Sequence, residues 1–103
     1  MRLYEAAKVL RSKNSGPFEL TLDVLFEDAD LYRRVKTLGL IDRKTISELY
    51  QIPEDRITQL VYFDPALGIK ITLARKVSSG TFPDRDVYGA QQHAPLMALE
   101  LPL

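Results

Sequence analysis

Hydrophobic positions alternate most plainly over residues 19–26. Leu20, Leu22, Val24 and Phe26 fall on one side of an extended segment, and Glu19, Thr21 and Asp23 on the other. A period of two with a polar outer side predicts a strand in a sheet covered on one face only. The period then changes. Asp28 is a good helix N-cap, Leu31, Val35 and Leu38 recur at four and three residues, and Gly39 stands where a left-handed C-terminal residue belongs. A second short helix is predicted from about Arg43 to Tyr50, capped by Asp42. Ile41 before the cap and Ile46 at the fourth helical position have hydrophobic-staple spacing, and Pro53 stops the helix.

Two further strands follow. Arg56–Phe63 is rich in Ile, Val, Tyr and Phe; in Leu67–Leu73, Ile69, Ile71 and Leu73 point inward and Lys70 and Thr72 outward. Asp64-Pro65-Ala66-Leu67-Gly68 between them carries turn residues, which predicts a hairpin with Asp64 capping the turn. At the N-terminal end, Leu3, Ala6, Ala7 and Leu10 have helical spacing, while Lys8–Ser12 also reads as a strand entering an Arg11–Pro17 loop; a short turn followed by a strand is the reading adopted. Lys76–Asp86 reads as an exposed loop, long enough to be functional. Tyr88–Ala94 reads as a helical turn ended by Pro95, and Leu96–Leu101 as a closing strand. The sum is one α+β domain over residues 1–103. It is a ferredoxin-like sandwich, with two helices on one face of a mostly antiparallel sheet.

Composition narrows the partners. The chain has 103 residues, with 14 basic and 14 acidic side chains and one histidine, so its net charge is zero. That balance argues against a nucleic-acid binder that works by neutralising phosphates. No run of about 18 apolar residues predicts a membrane span. Met1-Arg2-Leu3-Tyr4-Glu5 lacks the apolar stretch of a signal peptide, so a cytoplasmic protein is expected. There is no cysteine, hence no thiolate nucleophile or thiolate metal site. A chain this short has a modest core, which an oligomer or partner would help to stabilise. No cofactor and no metal site are expected.

Two segments concentrate polar chemistry. Arg11-Ser12-Lys13-Asn14-Ser15-Gly16-Pro17 offers cations, hydroxyls and a glycine, which suit a carboxylate, a phosphate or an interface; it reads equally as a solvated surface turn, and it lacks the order of a Walker motif. Asp86-Val87-Tyr88-Gly89-Ala90-Gln91-Gln92-His93-Ala94-Pro95 holds the histidine. His93 could transfer protons with Asp86, contact a ligand or partner together with Tyr88, Gln91 and Gln92, or serve the structure. Asp23, on the polar side of its strand, is placed to pair with Lys70 if their strands are neighbours. Asp84 and Asp86 form a weak hard-cation pattern without the glycine and glutamate of a calcium loop.

Three segments together resemble the bacterial domain-of-unknown-function 4387 family: Leu10–Asp23, then Phe63-Asp64-Pro65-Ala66-Leu67 with Ile69-Lys70-Ile71-Thr72, then Asp86–Leu96. That family is similar in turn to the small C-terminal domain of AtuA-like proteins, named for acyclic terpene utilisation, which is regarded as ferredoxin-like. The domain's loop of the type Ala-Arg-Ser-Gly-Asp-Lys-Gly is similar to Arg11–Gly16, although this chain has Lys13-Asn14-Ser15 in place of Gly-Asp-Lys. The resemblance brings no catalytic residue with it. It implies a small accessory subunit, not catalytic alone, that associates with an AtuA-like large subunit in the catabolism of acyl-CoA or carboxylate compounds. Arg11, Ser12, Lys13, Asn14, Ser15, Gly16, Asp23, Tyr88, Gln91 and Gln92 would then make the contact or complete a shared site. The alternatives are a stand-alone lyase or hydratase, with His93 and Asp86 or Asp23 moving protons while Arg11 and Lys13 hold a carboxylate, or a homo-oligomeric module that binds a small carboxylate or phosphate.

Overall fold

Two antiparallel hairpins with a helical segment between them account for the architecture. The computed structural model describes residues 1–14, 18–74 and 93–103. Helix α1 (Leu3–Ala6) leads into strands β1 (Ala7–Asn14) and β2 (Glu19–Phe26). Helices α2 (Ala29–Leu38) and α3 (Arg43–Tyr50) come next, then β3 (Ile57–Phe63), β4 (Gly68–Ala74) and α4 (Ala94–Met97). The four strands form one sheet in the order β1-β2-β4-β3, with every neighbouring pair antiparallel. The result is the α+β, ferredoxin-like layering that the alternation of periods predicts.

The core lies between the sheet and the helices. In the central pair Leu20 faces Leu73, Leu22 faces Ile71 and Val24 faces Ile69, all buried. The helix caps form as their residues dictate. Asp28 Oδ1 accepts from Asp30 N at 2.9 Å and Leu31 N at 3.3 Å, and Gly39 closes α2 with a left-handed φ of 62°. Asp42 Oδ1 accepts from Thr45 N at 2.8 Å, and the staple residues Ile41 and Ile46 are both buried. That N-cap bond to the Thr45 backbone holds the Asp42 carboxyl below its ordinary pKa.

Four expectations change. The buried residues of α2 are Tyr32 and Val35, whereas Leu38 is 59% exposed. Leu31 still packs partly buried against the core, and Tyr32 extends the apolar stripe beside it, bringing a large ring into the core and a hydroxyl to a polar partner at its edge. Secondly, β1 runs through Asn14, so Arg11, Ser12, Lys13 and Asn14 belong to a strand and not to a loop. Thirdly, Pro95 lies in the first turn of α4, which suits a residue with no N–H to donate, while residues 88–92 of the predicted Tyr88–Ala94 turn lie outside the described residues. Lastly, the expected closing strand reduces to a single bridge between Arg2 and Glu100, supported by Leu101 N donating to Met1 O at 2.7 Å. Leu96 and Leu101 reach the core from a helical turn and an irregular tail. The loop predicted over Lys76–Asp86 lies outside the described residues.

Leu22 has no exposed surface and sits on the central strand pair. Leu22→Ala is expected to cost about 2–5 kcal/mol of folding stability, read as a lower denaturant midpoint with an unchanged slope.

Candidate functional site

The alternation that builds β1 divides the predicted polar segment between the two faces of the sheet. Leu10, Ser12 and Asn14 lie opposite Val24, Leu22 and Leu20, on the helix-covered face. Arg11 and Lys13 lie opposite Asp23 and Thr21, on the open face. Arg11 Nε donates to Asp23 Oδ2 at 3.0 Å, with the arginine side chain 60% exposed and the carboxylate 17%. Asp23 is also in register with Lys70, as anticipated, but its ion pair goes to Arg11. Lys70 forms no ion pair with any described residue.

On the covered face, Ser12 Oγ meets His93 Nδ1 at 3.3 Å, half-buried, where β1 passes the start of α4. Either group can donate, according to the imidazole tautomer. This is a hydroxyl within reach of a base, the minimal pair from which a nucleophile is activated. Asp86, Ser15, Gly16, Tyr88, Gln91 and Gln92 lie outside the described residues. Among the described residues no cluster of three or more His, Cys, Asp or Glu side chains could hold a metal ion.

A second polar cluster escaped the sequence reading. The Asp64 carboxylate, at the turn between β3 and β4, accepts from Tyr32 Oη at 2.7 Å and from Lys36 Nζ at 2.8 and 2.9 Å. The turn itself is held by the main chain, with Leu67 N donating to Asp64 O at 3.0 Å, which leaves the side chain for α2. The hydrogen bonds from Lys36 and Tyr32 hold the Asp64 carboxyl below its usual range. Burial, and then the bond to Asp64, push the Tyr32 phenol well up. Tyr62 packs against Tyr32 with ring centroids 6.1 Å apart, and burial pushes its phenol up to about 12. These phenols stay protonated near neutral pH, so the cluster is a clamp between helix and hairpin. Tyr32 and Lys36, four apart and thus on one helical face, were the available signal.

The open face also carries a largely apolar hollow of about 280 Å³, lined by Leu25, Val61, Phe63, Ala66 and Gly68 together with the polar Asp23, Gln59 and Lys70. Leu25 and Gly68 are cross-strand partners, as are Phe63 and Gly68. A Cβ at position 68 would stand 2.6 Å from Leu25 Cδ2, so the glycine lets the Leu25 side chain lie close against β4.

Comparison with known sequences now places the chain. The family model described as Domain of unknown function (DUF4387) matches residues 3–100. The chain belongs to that family. No curated protein and no solved structure matches it.

In this DUF4387 chain the predicted site residues that are described thus resolve into two groups, Ser12 and Asn14 with His93 on the covered face and Arg11, Lys13 and Asp23 on the open one. Arg11→Ala is expected to cost under about 1 kcal/mol in thermal or denaturant unfolding, because the arginine end of its ion pair is exposed to solvent. The Asp64 clamp has a pH signature. Its folded pKa lies below the unfolded value, near 3.9, so its contribution is complete above that pH and is lost as pH falls through the folded value. Asp64→Asn is expected to lower the denaturation midpoint at neutral pH. The gap to the parent chain should close as pH drops below the carboxylate range.

Proposed function

We propose that the chain is the small subunit of a heteromeric assembly, docking through the open face of its sheet onto a larger AtuA-like protein that degrades acyl-CoA or carboxylate compounds. One observation carries the reading. The sheet is covered by helices on one side, and the other side leaves Val61 41% and Phe63 58% exposed beside the apolar hollow. Apolar side chains grouped on an open sheet face are what a protein interface needs. The similarity of Arg11–Gly16 to the loop of the AtuA-like small domain supports the choice of partner. Arg11 and Lys13 would face the subunit boundary, in the cytoplasm, and complete a site there. No helix among the described residues is long and apolar enough to cross a membrane.

A second reading draws on the Ser12–His93 contact: a lyase or hydratase that acts without a companion. Affinity capture from native lysate, with light scattering on the isolated chain, separates the two. Recovery of one AtuA-like protein in fixed ratio, lost on Phe63→Glu with the fold retained, supports the subunit. A closed homo-oligomer with no companion moves the weight to a self-contained site.

A further inference from the structure

We propose that the hollow on the open face binds a small carboxylate with an apolar tail, its tail over Gly68 and its charge between Lys70 and Gln59. The inference goes beyond the subunit reading and needs no partner, because every residue it uses lies on the four strands or the turn before β4.

The hollow is polarised along the strands. At one end Leu25, Phe63 and Ala66 surround Gly68 and offer only apolar surface. At the other stand Lys70 and Gln59. Val61 is the register partner of Lys70, and Gln59 lies two residues before Val61 on the same strand face, so the ammonium and the amide are diagonal neighbours. The polar contacts of this end select an acceptor. Thr72 Oγ1 donates to Gln59 Oε1 at 3.3 Å, which occupies the amide oxygen and leaves the two Nε2 donors to be used. Asp23 lies at the same end, but its charge is matched by Arg11 at 3.0 Å. Arg11, Asp23 and Lys70 together carry a net charge of +1, and Lys70 has no ionic partner among the described residues. An ammonium and an amide N–H beside an apolar hollow fit a carboxylate whose chain runs toward Gly68. A free cation would meet Lys70, and a wholly apolar ligand would leave the polar end unused.

The test is a titration of the isolated chain with octanoate, followed by backbone amide shifts in a two-dimensional NMR spectrum. Octanol and acetate serve as probes of tail and charge separately. Saturable shifts are expected at Val61, Gly68 and Lys70 with octanoate, with weaker binding of octanol and of acetate. Lys70→Met should weaken octanoate about three- to tenfold while the spectrum reports an intact fold. Lys70→Arg should retain binding, and so should Lys44→Met, which removes a cation from the first turn of α3, away from the hollow. Octanol binding as tightly as octanoate, unchanged binding in Lys70→Met, or no saturable shift at these three amides would each overturn the proposal. None of these outcomes depends on whether a larger subunit exists.

Discussion

A sheet with its helices packed on one side is the constraint on which the rest depends. Each strand must sort its residues by parity, because a slip of one position would carry a whole apolar row into water. On β2 and β4 the inner parity is Leu20, Leu22, Val24, Ile69, Ile71 and Leu73, all buried. At about 1.5–3 kcal/mol for each large aliphatic side chain removed from water, these rows outweigh any single polar contact in the molecule. Register follows from them, and with register comes the placing of Arg11 opposite Asp23 and of Asp23 opposite Lys70. The polar geometry of the open face is therefore a consequence of the core on the other side.

What could be read from the chain alone was what depends on near neighbours. The alternation of Leu20 to Phe26, the Asp28 and Asp42 caps, the left-handed Gly39 and the Ile41–Ile46 staple all involve residues within a turn or two of each other, and all formed. Errors came where a distant partner decided. Leu31, Val35 and Leu38 make a good stripe in isolation, and Leu31 and Val35 do pack on the core, but Tyr32 joins them in place of Leu38, its hydroxyl reaching Asp64 thirty-two residues away. Leu96–Leu101 has the composition of a strand, yet its apolar residues satisfy the core from a helical turn and one bridge to Arg2.

The candidate site was legible in its residues and not in its layout. Arg11, Ser12, Lys13 and Asn14 stood out by composition, and composition does not reveal that neighbours in a strand point in opposite directions. The apolar hollow left still less trace. Leu25 continues the outer parity of β2, where Glu19, Thr21 and Asp23 suggested a purely polar face, and Val61 and Phe63 lie in a segment apolar on both parities. Only the pairing of β2 with β4 and of β4 with β3 brings Leu25, Gly68 and Phe63 into one row.

The separation of the two faces bears on what chemistry the chain can combine. Ser12 and His93 meet under the helices, whereas Arg11, Asp23 and Lys70 share the open side. Adjacent residues of β1 thus serve different compartments: a carboxylate held by Arg11 or Lys70 has the strand between it and the imidazole. A substrate touching both groups would have to wrap around the β1 edge, past Lys13 and Asn14. The cations of the open face and the Ser12–His93 contact are therefore separable in this fold, and either can be altered without touching the other. A larger subunit seated on the open face would reach the first set of residues directly, and the second only around that edge.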